Sequence, residues 1–313
     1  MNKKLLIAAV VLLAAGAVLL GIGTIIDRDR NDGISDLGAI LQNDHQGENR
    51  QEAASPEDNA VSDDDIASGG DAVSGENAAQ LSLDPFSNVA LSVIAADVRF
   101  EEGDAYGLRY RLHPDELMVR AEVEGGTLYL STKTKEGASV SGDWEVVVTI
   151  PRDAQLADVS VATVSGDITL SDRTVDTLDL GTTSGNVTAA AITAGEIQAA
   201  STSGDIDITD LSAHSVNAAA TSGDVSLTGS AGSLNLGTTS GACTFSGDLT
   251  GTGNVGTVSG DMDIAVPGAG VEASSLGTII WNGQNQGPSF HREGEGPALT
   301  LGSVSGNICI TTN

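Results

Sequence analysis

The sequence predicts an all-β protein: a single-stranded β-solenoid of about 19 residues per coil, with an N-terminal β cap, preceded by one transmembrane helix and a disordered linker. Three observations predict it. A short phrase recurs at a fixed period, apolar residues alternate with polar ones on both sides of that phrase, and an uncharged apolar run near the N-terminus gives way to an acidic, low-complexity stretch.

Residues 1–4, MNKK, are a cytoplasmic stub with two lysines. Residues 5–26, LLIAAVVLLAAGAVLLGIGTII, carry no charge. As a helix rising about 1.5 Å per residue they reach roughly 33 Å, enough for a hydrocarbon core of about 30 Å. Lysines before the run and acids from Asp27 onward keep the N-terminus in the cytoplasm. The run outlasts the apolar region of a cleaved signal peptide and ends in Ile25-Ile26, so it reads as an uncleaved signal anchor. That expectation places the protein in the cell membrane by a single pass, with the C-terminal domain extracytoplasmic. Residues 27–80 hold 14 acids and three arginines among Gly, Ser, Ala and Asn, without a sustained period. Such a chain repels itself and buries too little to order, so it reads as an acidic disordered linker.

The repeated phrase is Ser-Gly followed by Asp or Asn: TVSGDITL, TTSGNVTA, STSGDIDI, ATSGDVSL, TVSGDMDI and SVSGNICI, with TTSGACTF as a variant. Its glycines are Gly166, Gly185, Gly204, Gly223, Gly241, Gly260 and Gly306, separated by 19, 19, 19, 18, 19 and 46 residues. A 19-residue period is too short for helix-pair repeats and suits stacked β coils. Two residues after the glycines stand Ile168, Val187, Ile206, Val225, Cys243, Met262 and Ile308; four after stand Leu170, Ala189, Ile208, Leu227, Phe245, Ile264 and Ile310. Five before stand Val161, Leu180, Ala199, Ala218, Leu236, Val255 and Leu301, and seven before stand Val159, Leu178, Ile197, Val216, Leu234, Gly253 and Leu299. Period two on both sides predicts two short strands meeting at a Ser-Gly corner, alternate side chains inward. The glycine serves a tight bend, the Asp or Asn caps local backbone, and the preceding serine falls on the inward parity. Residues 151–313 are this solenoid, interrupted by an irregular loop at 265–297 that includes the coil-like LGTIIWNG. Residues 81–150 read as degenerate coils and a cap of strands. Ala96 takes one glycine slot between Val89 and Leu91 and Val98 and Phe100, while Gly142 takes another, with Trp144 and Val146 inward.

Composition removes several functions. Forty-three acids against 14 bases give a formal charge of −29, which repels nucleic acid. Aromatics are 3%, so the core is narrow and aliphatic, and two cysteines make no disulfide framework. By parity Cys243 is a core thiol and Cys309 points outward, so the two do not pair. From residue 151 onward the only bases are Arg152, Arg173 and Arg292, and His214 and His291 stand 77 residues apart as surface loop residues, so no acid–base pair or metal triad is legible. No Ser-Gly copy sits in a nucleophile elbow. The chain therefore reads as no enzyme, with no cofactor. Asp167, Asp205, Asp224 and Asp261, with Asn186 and Asn307, form a column that is a weak candidate for a cation; turn capping is the simpler reading. Outward Thr183, Thr202, Thr221 and Thr239, and Thr169, Thr188, Ser226 and Thr244, offer a flat hydroxyl array to a glycan or wall polymer. Trp281, Phe290, His291 and Arg292 are the aromatic and basic cluster where a partner would dock, or else cover the end coil.

The opening FSNVALSVIAADVRFEEGD, the junction WEVVVTIPRDAQLADVSVATVSGDITL and the closing PALTLGSVSGNICI resemble a bacterial family of putative adhesins built on a domain of unknown function, over about residues 83–313. The resemblance implies a β-solenoid at the cell surface behind an N-terminal membrane helix, linked to envelope stress, with no catalytic residues to carry over. The expected function is therefore that of a membrane-anchored extracytoplasmic adhesin, or an envelope-associated binding or structural protein contacting wall glycan or an envelope protein. The alternatives are a homo-oligomeric scaffold grown by stacking through the solenoid ends, since NICITTN ends with little capping, and, more distantly, a polysaccharide-active enzyme.

Overall fold

The structure, a computed structural model, describes residues 73–75, 78–111, 117–136 and 144–312; the predicted stub, the anchor and the linker through residue 72 lie outside them. Every regular element among the described residues is a strand. The repeat is a physical rung. Ile168 pairs with Val187, Val187 with Ile206 and Ile206 with Val225 in parallel register, so each step of one glycine is a step of one strand. The register continues from Val225 to Cys243, to Met262 and to Ile308. The positions two and four after and five and seven before the glycines, read as inward, are all buried, from Val159 and Leu178 through Ile308 and Ile310.

Each coil has three faces, one more than the alternation around the glycine revealed. The strands Ile168–Ser184, Val187–Ser203 and Ile206–Ser222 run 17 residues each, and alternation breaks twice within them. The added inward run holds Arg173 and Val175, then Ile192 and Ala194, then Leu211. Its first corner places Asp172, Ala191 and Asp210 at φ of 55°, 54° and 53°. Aspartate tolerates the left-handed region through local hydrogen bonding; Ala191 has no such help. The single 18-residue step is taken at this corner, where the register slips between Ile208 and Leu211.

Sequence order is not spatial order at either end. The coil formed by Asn88–Ala95 and Asp97–Gly103 lies between the Gly166 coil and a further coil of Thr127–Thr134 and Glu145–Pro151. Antiparallel strands Leu117–Glu124 and Gly107–Arg111 cover that outer coil, and Ala78–Ser82 extends the second of them. Ala96 is buried in its glycine slot as expected. Gly142 lies outside the described residues; Trp144 and Val146 are buried as expected, but the register moves the slots by two, so that Val146 and Val148 face Val98 and Phe100 and Trp144 stands opposite Ala96 at the corner.

At the other end, Ala298–Ser305 and Ile308–Thr311 lie between the Gly260 coil and the strand Gly270–Trp281. The coil expected at LGTIIWNG is present, but the rest of residues 265–297 is mostly strand rather than irregular loop. Residues 270–281 form the outermost coil, with Gly277 in the glycine slot, and Gln284–Arg292 runs antiparallel across it. This corrects the open-end expectation for NICITTN as well, because the C-terminal strand has its own chain on both sides. The outer edge belongs to Gln284–Arg292, which carries Gly287 and Pro288, residues that discourage strand addition.

Candidate functional site

The repeated corner is built coil to coil. The amide of Asn186 donates to Asp167 Oδ1 at 2.7 Å, that of Asp205 to Asn186 Oδ1 at 2.9 Å, and that of Asp224 to Asp205 Oδ1 at 2.8 Å. Ala242 N–H donates to Asp224 Oδ1, and Asn307 N–H to Asp261 Oδ1. Asp97 begins the ladder by accepting from Asp167 N–H. Each of Asp167, Asp205, Asp224 and Asp261 thus satisfies an amide on the next rung, an intercoil role rather than the local turn capping that the sequence suggested. Among the described residues no group of three or more His, Cys, Asp or Glu side chains could hold a metal ion.

The serines preceding the glycines are exposed, not inward. The corner consumes one residue of the alternation, so inward parity falls three places before the glycine. Thr182, Ser201, Thr238 and Thr257 are buried there, and their hydroxyls donate to the carbonyls of Gly166, Gly185, Gly223 and Gly241 on the preceding rung at 3.0 to 3.5 Å. Those same carbonyls explain the glycine. A Cβ on Gly185, Gly204, Gly223, Gly241, Gly260 or Gly306 would overlap the carbonyl oxygen of the glycine one rung before. Close approach between rungs demands glycine here.

The face beginning at residue 177 differs from the acidic corner. Its outward columns are Thr177, Glu196, Ser215, Ser233 and Thr252; Asp179, Gln198, Asn217, Asn235 and Asn254; and Thr183, Thr202, Thr221 and Thr239. Between the last two runs a floor of Gly181, Ala200, Ala219, Gly237 and Gly256, shielded despite its outward parity. Asn254 Nδ2 donates to Asn235 Oδ1, and Asn235 Nδ2 to Asn217 Oδ1, both at 2.9 Å. From Ser215 to Asn254 these columns carry no charge; in register beyond Asn254 come Thr300 and then Glu272 of the outermost coil. The other threonine run, Thr169, Thr188, Ser226 and Thr244, is outward beside the Asp column.

At the C-terminal end the structure brings together three of the four predicted partner residues. Trp281 fills the inward slot opposite Ile310, with Phe290 stacked on it at 5.6 Å and the Arg292 guanidinium 4.6 Å from its ring centroid. Trp281 Nε1 and Arg292 both donate to Thr312 Oγ1, at 3.1 and 3.2 Å. His291 alternates to the other side of its strand, pairs in register with Glu272 and is exposed. The aromatic pair packs on the core and closes the rod's end.

Cys243 is buried, and burial, aided by Asp224, pushes its thiol up to about 12. Cys309 is half-buried and outward; burial and then Asp263 raise its pKa. Both thiols are free. His214 is exposed, but on the strand Ile206–Ser222 rather than in a loop. Arg173, which the sequence showed only as one of three bases, is inward and buried. It stands at the first rung of its face and donates to the Glu101 carbonyl at 3.2 Å, while its Nε finds no partner.

A family model described as Toastrack DUF4097 matches residues 86–277. No curated protein matches the chain. Three similar solved structures are described as a putative adhesin from Bacteroides fragilis NCTC 9343, a putative adhesin from Parabacteroides distasonis ATCC 8503 and a putative lipid binding protein from the same Parabacteroides strain. The first is 13% identical over 74% of this chain and 95% of its own, with a TM-score of 0.43. The second is 16% identical over 77% and 97%, and the third 17% over 74% and 95%, both at a TM-score of 0.34.

Proposed function

The chain belongs to the Toastrack DUF4097 family, a domain of unknown function, and from that premise we propose that it is a membrane-anchored extracytoplasmic β-solenoid of the bacterial envelope, an adhesin-like binding rod rather than an enzyme. Residues 5–26 anchor it, residues 27–80 hold the rod away from the membrane, and the rod presents a surface. The observation that carries this reading is the uncharged face of Ser215, Ser233, Asn217, Asn235, Asn254, Thr221 and Thr239. Ser215, Asn217 and Thr221 on one rung recur as Ser233, Asn235 and Thr239 on the next, about 4.8 Å away, with Thr252 and Asn254 continuing two of the columns, all over a flat glycine and alanine floor. A regular, neutral surface of that kind suits a regular, neutral partner, and wall glycan is the partner of that chemistry. The corner carboxylates serve the backbone ladder instead of converging on a reacting atom.

The test is a triple substitution, Thr202→Glu, Thr221→Glu and Thr239→Glu, which charges the face while leaving the inward residues alone. The full protein and the variant are compared in pull-downs from purified wall polymer and from envelope extract. Loss of capture by about tenfold, equivalent to roughly 1.4 kcal/mol, with unchanged circular dichroism supports the reading. Undiminished capture on wall polymer removes the face from consideration, and turnover of wall polysaccharide by the wild-type protein would reinstate the enzyme.

A further inference from the structure

The C-terminal strand is inserted between two strands that match each other without it. Across the Gly260 coil, the inserted rung and the outermost coil, equivalent positions read Val255, Leu301 and Ala273; Thr257, Ser303 and Ser275; Gly260, Gly306 and Gly277; Met262, Ile308 and Ile279; and Ile264, Ile310 and Trp281. The hydroxyl slot, the glycine slot and three of the four inward apolar slots of the outermost coil would therefore meet their counterparts on the Gly260 coil if the rung between them were absent; at the fourth, Val271 would face Gly253, over which Leu299 now packs. Ser275 Oγ, which now donates to the Gly306 carbonyl at 2.6 Å, would find the Gly260 carbonyl in the same place on the next rung, and Thr278 N–H would exchange Asn307 Oδ1 for Asp261 Oδ1.

The inserted rung is also the less complete of the three. Ser303 Oγ is buried without a hydrogen-bond partner, whereas Thr257 and Ser275 in the same slot both have one. Side chains fasten the rung's far end at Thr312, whose hydroxyl accepts from Trp281 and Arg292 and whose amide donates to Asn282 Oδ1 at 3.1 Å, beside backbone bonds from Val266 and Gly268 to the Thr311 and Thr312 carbonyls. The connection leading into it, residues 293–297, is Glu-Gly-Glu-Gly-Pro and exposed over most of its length.

We propose that residues 298–312 are a removable rung: they can leave the sheet, after which the 270–292 hairpin seats directly on the Gly260 coil and the C-terminal strand is freed. The rod then has two closed forms that differ by one rung, and neither exposes an open sheet end. The closed form with the rung in place makes two strand interfaces where the other makes one, so it is the resting state, and the Thr312 contacts set how often the rung leaves.

The experiment uses cysteines at 263 and 280, outward positions that flank Cys309 in register. With the rung in place they are two rungs, about 10 Å, apart; with it gone they are about 4.8 Å apart, within reach of a disulfide. The full chain carrying Asp263→Cys, Ile280→Cys and Cys309→Ser is oxidised with glutathione, alongside the same chain ended at Pro297. Rapid cross-linking of the shortened chain, with cross-linking of the full chain slower by at least about tenfold and accelerated by Thr312→Val, is the expected result. A shortened chain that loses its β circular dichroism overturns the proposal, as does one that stays folded without cross-linking. Equal rates for the two chains overturn it too, since the rung would then hold nothing apart.

Discussion

Ala242 interrupts the corner ladder, and replacing it tests what the ladder is for. On other rungs a side-chain oxygen at this place accepts the amide of the next, as Asn186 Oδ1 does from Asp205 at 2.9 Å. Ala242 donates its own amide to Asp224 Oδ1 but offers no oxygen to Asp261. Ala242→Asn supplies one, and a single such bond is worth about 1 kcal/mol. For a folded region of this size that is a rise in Tm of roughly 2–4 °C. Ala242→Asp supplies the same oxygen with a charge about one rung, 4.8 Å, from the carboxylates of Asp224 and Asp261. Each repulsion is about 0.9 kcal/mol in water at that separation, and physiological salt roughly halves it. The two together cancel the gained bond, so the aspartate variant should match wild type at about 0.15 M salt and approach the asparagine variant near 1 M. Thermal unfolding by circular dichroism reads both. No gain from asparagine would refute the ladder as a source of stability. A gain by the aspartate variant on adding millimolar calcium, without one from sodium chloride, would turn the column into a cation site.

Three other outcomes follow from the same geometry. The wild-type Tm should be indifferent to EDTA, because the oxygens of Asp167, Asp205 and Asp224 accept backbone amides; a large fall on chelation would contradict that assignment. Gly204→Ala should destabilise by about 2 kcal/mol or more, since its Cβ strikes the Gly185 carbonyl, whereas Ala191→Gly should stabilise by about 1 kcal/mol by relieving a left-handed alanine; both are read by urea midpoints. The Cys243 thiol stays protonated in the folded state to about pH 12 but ionises from about 9 once unfolded, so the unfolded state releases its proton first. Stability must then fall as pH rises between those values, at up to about 1.4 kcal/mol per pH unit, and Cys243→Ala should flatten that slope.

How much could be read in advance depended on which residues the repeat holds constant. Inward Ile, Val and Leu at fixed distances from the glycine were legible because a period of two leaves few other arrangements. The glycine was legible as a corner, but its reason was not: a bend and a steric column give the same letters, and only the stacked Gly166, Gly185 and Gly204 carbonyls separate them. The inward hydroxyl was misplaced by two residues because alternation was carried through a corner that consumes one. Its signal was present, since Thr163, Thr182, Ser201, Thr238, Thr257 and Ser303 all open the recurring phrase, and Ala220 shows where the rule lapses. The second corner was silent because Asp172, Ala191 and Asp210 share a backbone conformation rather than a side chain.

The order of the end coils lay deeper still. Nothing local distinguishes a rung laid on top from one slipped beneath, because Leu301 and Ala273 satisfy the same slot. The trait that makes the array easy to recognise, interchangeable rungs, is thus the trait that hides its order. It also lets one rung be withdrawn and the next take its place. The cluster of Trp281, Phe290 and Arg292 was found by composition, but the purpose of its aromatics emerges only when the inserted strand beneath shows what they are closing over.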